Sequence, residues 1–252
     1  MKIATWNVNS IKARTTHTQR WLERVSPDIL CLQELKGLEF PHEAFDGWQV
    51  QTVGQKAYNG VAIISKNPVE VILDKLPGDE ADEQARYLEV QANGIRIVNI
   101  YLPNGNPAPG DKFDYKLKWM HRLYERLSEL RRQETDFVVA GDFNVIPESK
   151  DCWDPKIWKD DALFRIETRR AWRALLNLGL TDAFRALNQN THQYTFWDYQ
   201  AGCWQKDHGI RIDHFLLSPK ITDRLQSCTI DKEPRGEESP SDHTPVILTL
   251  KA

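Results

Sequence analysis

Short apolar runs along the chain alternate with longer stretches whose apolar positions recur every three or four residues, the two periods that separate strands from helices. Residues 2–8 read as a buried strand, 15–25 as a helix stopped by Ser26 and Pro27, and 29–32 as the next strand, a strand–helix–strand opening. Residues 61–65 form a short apolar strand. Segments 86–92 and 95–101 flank Asn93 and Gly94, a pair that accepts the positive φ of a tight turn, so an antiparallel hairpin is expected. From Phe113, the positions Leu117, Met120, Leu123, Leu127 and Leu130 put one apolar stripe on a long helix, followed by a strand at 137–140. The second half repeats the grammar with a helix over about 167–178 closed by Gly179, then strands near 194–197, 212–217 and 246–250.

A strand–helix–strand opening together with a hairpin requires mixed sheets. No Gly/Ser-rich or Pro-rich linker separates the halves, so both are expected to share one core, with residues 1–252 forming a single domain. The fold class is α/β: two mixed β-sheets packed face to face and flanked by helices. The least regular stretches, 36–60, 103–111, 147–164 and 199–209, are the expected surface loops.

Apolar residues make up 40% and charged residues 27%, which fits a soluble globular protein and excludes disordered, collagenous and disulfide-scaffold classes. No stretch approaches the ~20 consecutive apolar residues of a membrane span. The chain begins directly on strand-like KIATWNV, so a cytoplasmic protein of bacterial type, acting at the nucleoid, is expected. Cys31, Cys152, Cys203 and Cys228 are scattered without zinc spacing and read as reduced thiols. The net charge of -3 counts against a polyanionic partner unless a basic surround hides an acidic, metal-holding site.

The candidate chemistry sits at strand ends. Asn7 and Asn9 follow IATW, Glu34 follows ILCLQ, Tyr101 follows IRIVNI, Asp142 and Asn144 follow FVVAG, Asp213 lies in RIDHFLLS, and Asp242 and His243 precede PVILTL. Any one such acid is more commonly a cap or a turn residue; it is their convergence that argues for a site. The acids are hard oxygen ligands suited to Mg²⁺ or Mn²⁺ rather than zinc. In the tract 141–144, a glycine lets the backbone turn, an acid can act on water or metal, and an amide can donate to a phosphate oxygen. A lone Asp-His pair is usually a solvated turn, but Asp213 supplies the carboxylate that fixes a histidine's tautomer and raises its basicity.

The blocks KIATWNVNSI, PDILCLQELK, NGVAIISK, NIYLPNG, GDFNVIP, YTFWDY, GIRIDHFLLS and SDHTPVILTL resemble, in order and spacing, the exonuclease III family of abasic-site endonucleases, part of the wider endonuclease/exonuclease/phosphatase superfamily that includes DNase I. The resemblance covers nearly the whole chain. It implies a four-layer DNase I-like sandwich and metal-dependent hydrolysis of DNA 5′ to abasic sites leaving a 3′-hydroxyl, with 3′→5′ exonuclease and 3′-end cleaning activity. It further implies that Glu34 binds the metal with Asn7 and Asp242 close by, that Asp142 activates water, and that His243, oriented by Asp213, stabilises the transition state. Tyr101 and Asn144 would position phosphate and water, Asn9 would contact substrate, and Phe196, Ile210 and Ile212 would line the pocket for a flipped-out deoxyribose. The implied partner is double-stranded DNA with abasic sites or 3′ ends, met by a monomer. Relatives that wedge an Arg and a Met into the duplex are not matched here, where Pro107 and Gln200 stand. Arg165, Arg169 and Arg170 beside Trp172 read as a phosphate-contacting surface or a solvated helix face, and Lys66 and Lys112 carry the same two readings. The alternatives are a superfamily enzyme acting on RNA or a small phosphate ester, and a binding module that has lost its chemistry; the presence of every expected catalytic residue argues against the second.

Overall fold

The computed structural model describes residues 1–251. The chain opens with β1 (Lys2–Asn7). Helix α1 (Ile11–Val25) starts ahead of the expected position because Ser10 caps it, accepting from the Ala13 amide. It stops where Ser26 turns left-handed at φ 48 and Pro27 follows. Then come β2 (Ile29–Gln33), β3 (Gln49–Val53), β4 (Val61–Ser65), β5 (Glu70–Leu73), β6 (Tyr87–Ala92) and β7 (Ile95–Tyr101). Asn93 and Gly94 both take positive φ in the hairpin between β6 and β7, as their sequence anticipates. Helix α2 (Asp111–Arg132) leads to β8 (Phe137–Asp142), followed by α3 (Pro155–Trp158), α4 (Ile166–Leu176), β9 (Thr181–Asp182) and α5 (Ala183–Leu187). The chain ends with β10 (Asp213–Leu217), α6 (Pro219–Asp223), β11 (Leu225–Ile230) and β12 (Val246–Leu250). No helix among the described residues is long and apolar enough to cross a membrane.

Two six-stranded sheets result, ordered β11-β12-β1-β2-β4-β3 and β5-β6-β7-β8-β10-β9. Each has one parallel pair, β1 with β2 and β7 with β8, and all its other pairings are antiparallel. Parallel neighbours need a crossover, which α1 and α2 supply. Strand alternation then sorts the apolar residues into layers. Ile3, Cys31 and Ile63 of one sheet meet Ile97, Ala140 and Phe215 of the other in a central core. Their neighbours Ala4, Trp6 and Leu30 face Trp21 and Leu22 of α1, while Val98, Ile100 and Val139 face Trp119, Leu123 and Leu127 of α2. The expected helix–sheet–sheet–helix sandwich is thus the observed one.

One polar bridge crosses the inner face. Gln33 donates to Asn99 at 2.8 Å, and the Asn99 amide donates to the carbonyls of Leu32 and Ala62. A buried amide so satisfied stabilises only one relative placement of the two sheets, which fixes where their ends meet.

Four strands escape the sequence reading. β3, β5, β9 and β11 are the edge strands of the two sheets and are partly exposed, so they lack both a continuous apolar run and a clean alternation. The expected strand at 194–197 is corrected: the segment makes isolated bridges, Phe196 with Ile210 and with His243, because it crosses the open end of the sandwich between the sheets.

Candidate active site

Both parallel pairs point their C-terminal ends the same way. Asn7 ends β1, Glu34 follows β2, Tyr101 ends β7 and Asp142 ends β8. Asp213 enters through an antiparallel neighbour, in register with Asp142, and His243 arrives just before β12, which pairs with β1. The chain leaves the sheets by left-handed residues: Asn9 at φ 45, Glu34 at φ 54 and Asn144 at φ 47. Gly141 lies inside β8 rather than at a turn. A Cβ there would fall 2.0 Å from the Ile100 carbonyl oxygen, so glycine is required by the close approach of β7.

Asn7 ties the sheets together at the site. Its Nδ2 donates to Glu34 Oε1 and to Asp142 Oδ2, each at 2.9 Å. Burial pushes the Glu34 carboxyl up, but the Asn7 hydrogen bond and the Lys36 ammonium, 3.0 Å from Oε2, bring it below the usual range. Lys36 also donates to Asn9, whose Nδ2 reaches Asp242 at 3.0 Å. His243 Nδ1 lies 2.9 Å from Asp213 Oδ2, and its Nε2 faces Asp142 Oδ2 at 3.7 Å. Burial alone would hold His243 neutral; the Asp213 and Asp142 carboxylates outweigh it and raise the imidazole into the cationic range. Asp142 is raised, first by burial and then by Asp213, against the lowering influence of His243 and Asn7. Burial and the Glu34 and Asp142 charges hold Tyr101 as a protonated phenol.

A cavity of about 300 Å³ opens over these groups. It brings together Glu34, Tyr101, Asp142, Asn144, Asp242 and His243 with the apolar wall of Phe196, Ile210 and Ile212. The Phe196 ring meets the His243 ring edge-on at 5.0 Å. Asn7 and Asp213 stand directly behind the lining, and Asn9 ties Asp242 to Lys36 at its edge. The carboxylates suit a divalent cation: Glu34 and Asp142 offer oxygen atoms within 4.8 Å of one another, and Asp242 lines the same cavity.

Lys36 escaped the sequence reading, though a cation two residues beyond a strand-end acid was the signal. Asn104, in NIYLPNG, also lines the cavity. Trp172 is corrected: it is 2% exposed, packed against Phe143 and His214, and belongs to no contact surface. Arg169 stacks over Phe164 and donates to the Pro147 carbonyl, which braces loop 147–164, and Arg165 lies over Phe113 at the start of α2. Arg170 remains exposed, and Lys66 pairs with Asp28. Pro107 and Gln200 do not line the cavity.

Residues 4–243 match the Endonuclease/Exonuclease/phosphatase family. The chain is 31% identical to exodeoxyribonuclease III of Haemophilus influenzae over 267 aligned positions, covering all of both chains. Among solved structures, it is similar to the 3′-5′ exonuclease NExo of Neisseria meningitidis, with a TM-score of 0.97, 38% identity and full coverage of both chains. That Neisseria enzyme is also described as a 3′ phosphatase and has been solved with a product DNA hairpin. An AP endonuclease of Archaeoglobus fulgidus superposes with a TM-score of 0.95 at 37% identity, again over the whole of both chains.

Proposed function

The chain belongs to the Endonuclease/Exonuclease/phosphatase family, and on that premise we propose that it is a DNA-repair nuclease, a single catalytic unit that hydrolyses the backbone 5′ to abasic sites and trims or cleans 3′ ends. The observation that carries this reading is the pairing of a cationic His243, fixed by Asp213, with Asp142 at 3.7 Å on the wall of a cavity that also holds Glu34. The proposed substrate is duplex DNA, as the DNA-bound Neisseria relative supports.

Glu34, with Asn7 and Asp242 nearby, would hold Mg²⁺ or Mn²⁺, which when bound supplies charge neutralisation at the phosphate oxygens. Asp142 takes the proton from the attacking water; burial gives this carboxylate the raised basicity that the task needs near neutral pH. As the P–O3′ bond breaks, charge accumulates on the phosphate oxygens and on the departing 3′ oxygen. The His243 imidazolium and the Tyr101 phenol are donors aimed at that charge. Asn144 donates one amide hydrogen to Leu102 O and keeps the other for phosphate. Phe196, Ile210 and Ile212 make a wall that accepts a baseless sugar and offers a paired base no hydrogen-bond partner.

The test uses purified protein with a labelled duplex carrying one abasic analogue, a matched intact duplex and a duplex ending in 3′-phosphate, each with Mg²⁺ or EDTA. Mg²⁺-dependent incision 5′ to the lesion, or release of phosphate from the 3′ end, supports the reading. Equal turnover of a soluble phosphate ester moves the substrate elsewhere in the superfamily.

A further inference from the structure

Lys116 is a fully buried lysine on α2 that makes no ion pair among the described residues. Its ammonium instead donates to two backbone carbonyls, Asn144 O at 2.5 Å and Asn104 O at 3.0 Å. Burying an ammonium on neutral acceptors alone is costly, and a methionine would fill the same space without that penalty. The sequence nevertheless makes room for it. Gly105 sits at φ +89, and a Cβ on it would lie 2.6 Å from the Lys116 Cδ.

The two carbonyls belong to Asn104 and Asn144, two of the three asparagines that line the cavity. The β7–β8 ladder ends at Tyr101 and Asp142, so beyond that pair no strand register holds the two loops together. Two contacts continue the connection, the Leu102 amide on Asp142 O and the Asn144 side chain on Leu102 O. Lys116 then fastens the loops one step farther out, where the Asn104 and Asn144 carboxamides meet at 3.4 Å. Asn144, already left-handed, has no ladder of its own to keep it in place.

We propose that Lys116 is a positioning residue: from beneath the cavity it pins the backbones of Asn104 and Asn144 to each other, so that the Asn144 carboxamide, which accepts from the Asn104 side chain, presents a fixed donor to the substrate phosphate. This rests on reading the cavity as a phosphodiester site. Lys116 acts through Asn144 and touches no reacting atom. Gly105 is its necessary partner, since a side chain there would push the ammonium off its two carbonyls.

The experiment compares the parent, Lys116→Met, Asn144→Ala and the double variant on the labelled duplex, and records the Asn144 side-chain amide resonance in protein ¹⁵N-labelled at asparagine. In Lys116→Met, kcat should fall about 10- to 100-fold, as for loss of a supporting group, with KM changed less than about threefold. On the Asn144→Ala background the same change should cost less than about twofold, since coupled residues are not additive. The Asn144 amide resonance should shift or broaden. An unchanged kcat, an equal loss on both backgrounds, or an unmoved resonance overturns the proposal. If the parent itself shows no phosphodiesterase activity, the functional reading fails instead, and the resonance still decides whether Lys116 pins Asn144. Gly105→Ala keeps the lysine but crowds it, so it should reproduce the loss in kcat. If Lys116→Met does not fold and Gly105→Ala leaves kcat intact, the proposal fails.

Discussion

The two sides of the cavity are held by different physics. The reactive side, with Asn7, Glu34, Asp142, Asp213 and His243, grows directly from strand ends whose register is fixed by ladders on either side. The apolar side hangs on loops 147–164 and 196–212, which are anchored by buried charge. Arg211, fully buried, donates to Asp151 at 2.7 Å and to Asp182 at 2.9 Å, and Arg185 reaches the same Asp151 oxygen. Arg211 also donates to His214 Nδ1, which leaves the His214 Nε2 hydrogen for the Val145 carbonyl. A ladder constrains atoms through many equivalent bonds, whereas this network depends on a few individual charged groups. On the proposed function, the chemistry common to every substrate would be built on the sheets, and substrate choice would be left to the part that loop sequence can vary.

Changes on the reactive side should lower the rate on every substrate alike. Asp142→Asn keeps the shape and removes the base, so kcat should fall by up to about 10,000-fold on abasic, intact and 3′-phosphate duplexes, with binding retained in a fluorescence titration. A loss confined to one substrate would break the division between the two sides. Asp213→Asn should lower kcat about 100-fold. It should also move the alkaline limb of the pH–rate profile to lower pH. Asp213 is the foremost group raising His243, and without it the imidazolium deprotonates earlier as pH rises. An unmoved limb would mean that His243 does not act as the cation.

The same division explains what sequence could and could not show. Asn7, Glu34, Tyr101, Asp142 and His243 were legible because a buried strand is an apolar run, and a polar residue that punctuates its end stands out. The anchor of the other side was not. Asp151, Asp182 and Arg211 are separated by loops and helices, and an isolated Arg or Asp in a sequence carries no sign that it will be buried and paired. Trp172 was misread among arginines, although Thr168, Trp172 and Leu175 sit at the i, i+4, i+7 spacing of a buried helix face. Lys116 was hidden for the opposite reason: a lysine in a charged helix reads as solvated, and only the approach of Gly105 reveals it.

Changes on the apolar side should alter selectivity more than rate. Phe196→Ala widens the wall beside His243. Its preference for abasic over intact duplex should drop about 20-fold, within the range an apolar pocket can discriminate, while 3′-phosphate release changes less. Equal losses on all three substrates would assign Phe196 to the reactive side.

The smallest effect probes the anchor itself. Burial and the Arg211 charge lower His214 from 6.5 to about 4. The unfolded chain therefore binds a proton at this residue between those values while the folded chain does not. The resulting stability is fully present above pH 6.5 and is lost as pH falls toward 4. Asp142 works in the opposite direction, since its raised carboxyl favours the folded state as it protonates, so the total pH dependence mixes signs. Comparing the parent with His214→Gln cancels what the two share. Glutamine can accept from Arg211 and donate to Val145 without titrating. Urea unfolding at pH 7.5 and 5.5 should show the parent losing about 1 kcal/mol more than the variant over that interval, the cost of one pH unit below the unfolded value. A parent that loses no more than the variant would mean that the folded chain protonates His214 at least as readily as the unfolded chain does. The Val145 contact would then not depend on a neutral ring, and the loops would be anchored by Arg211 and its carboxylates alone.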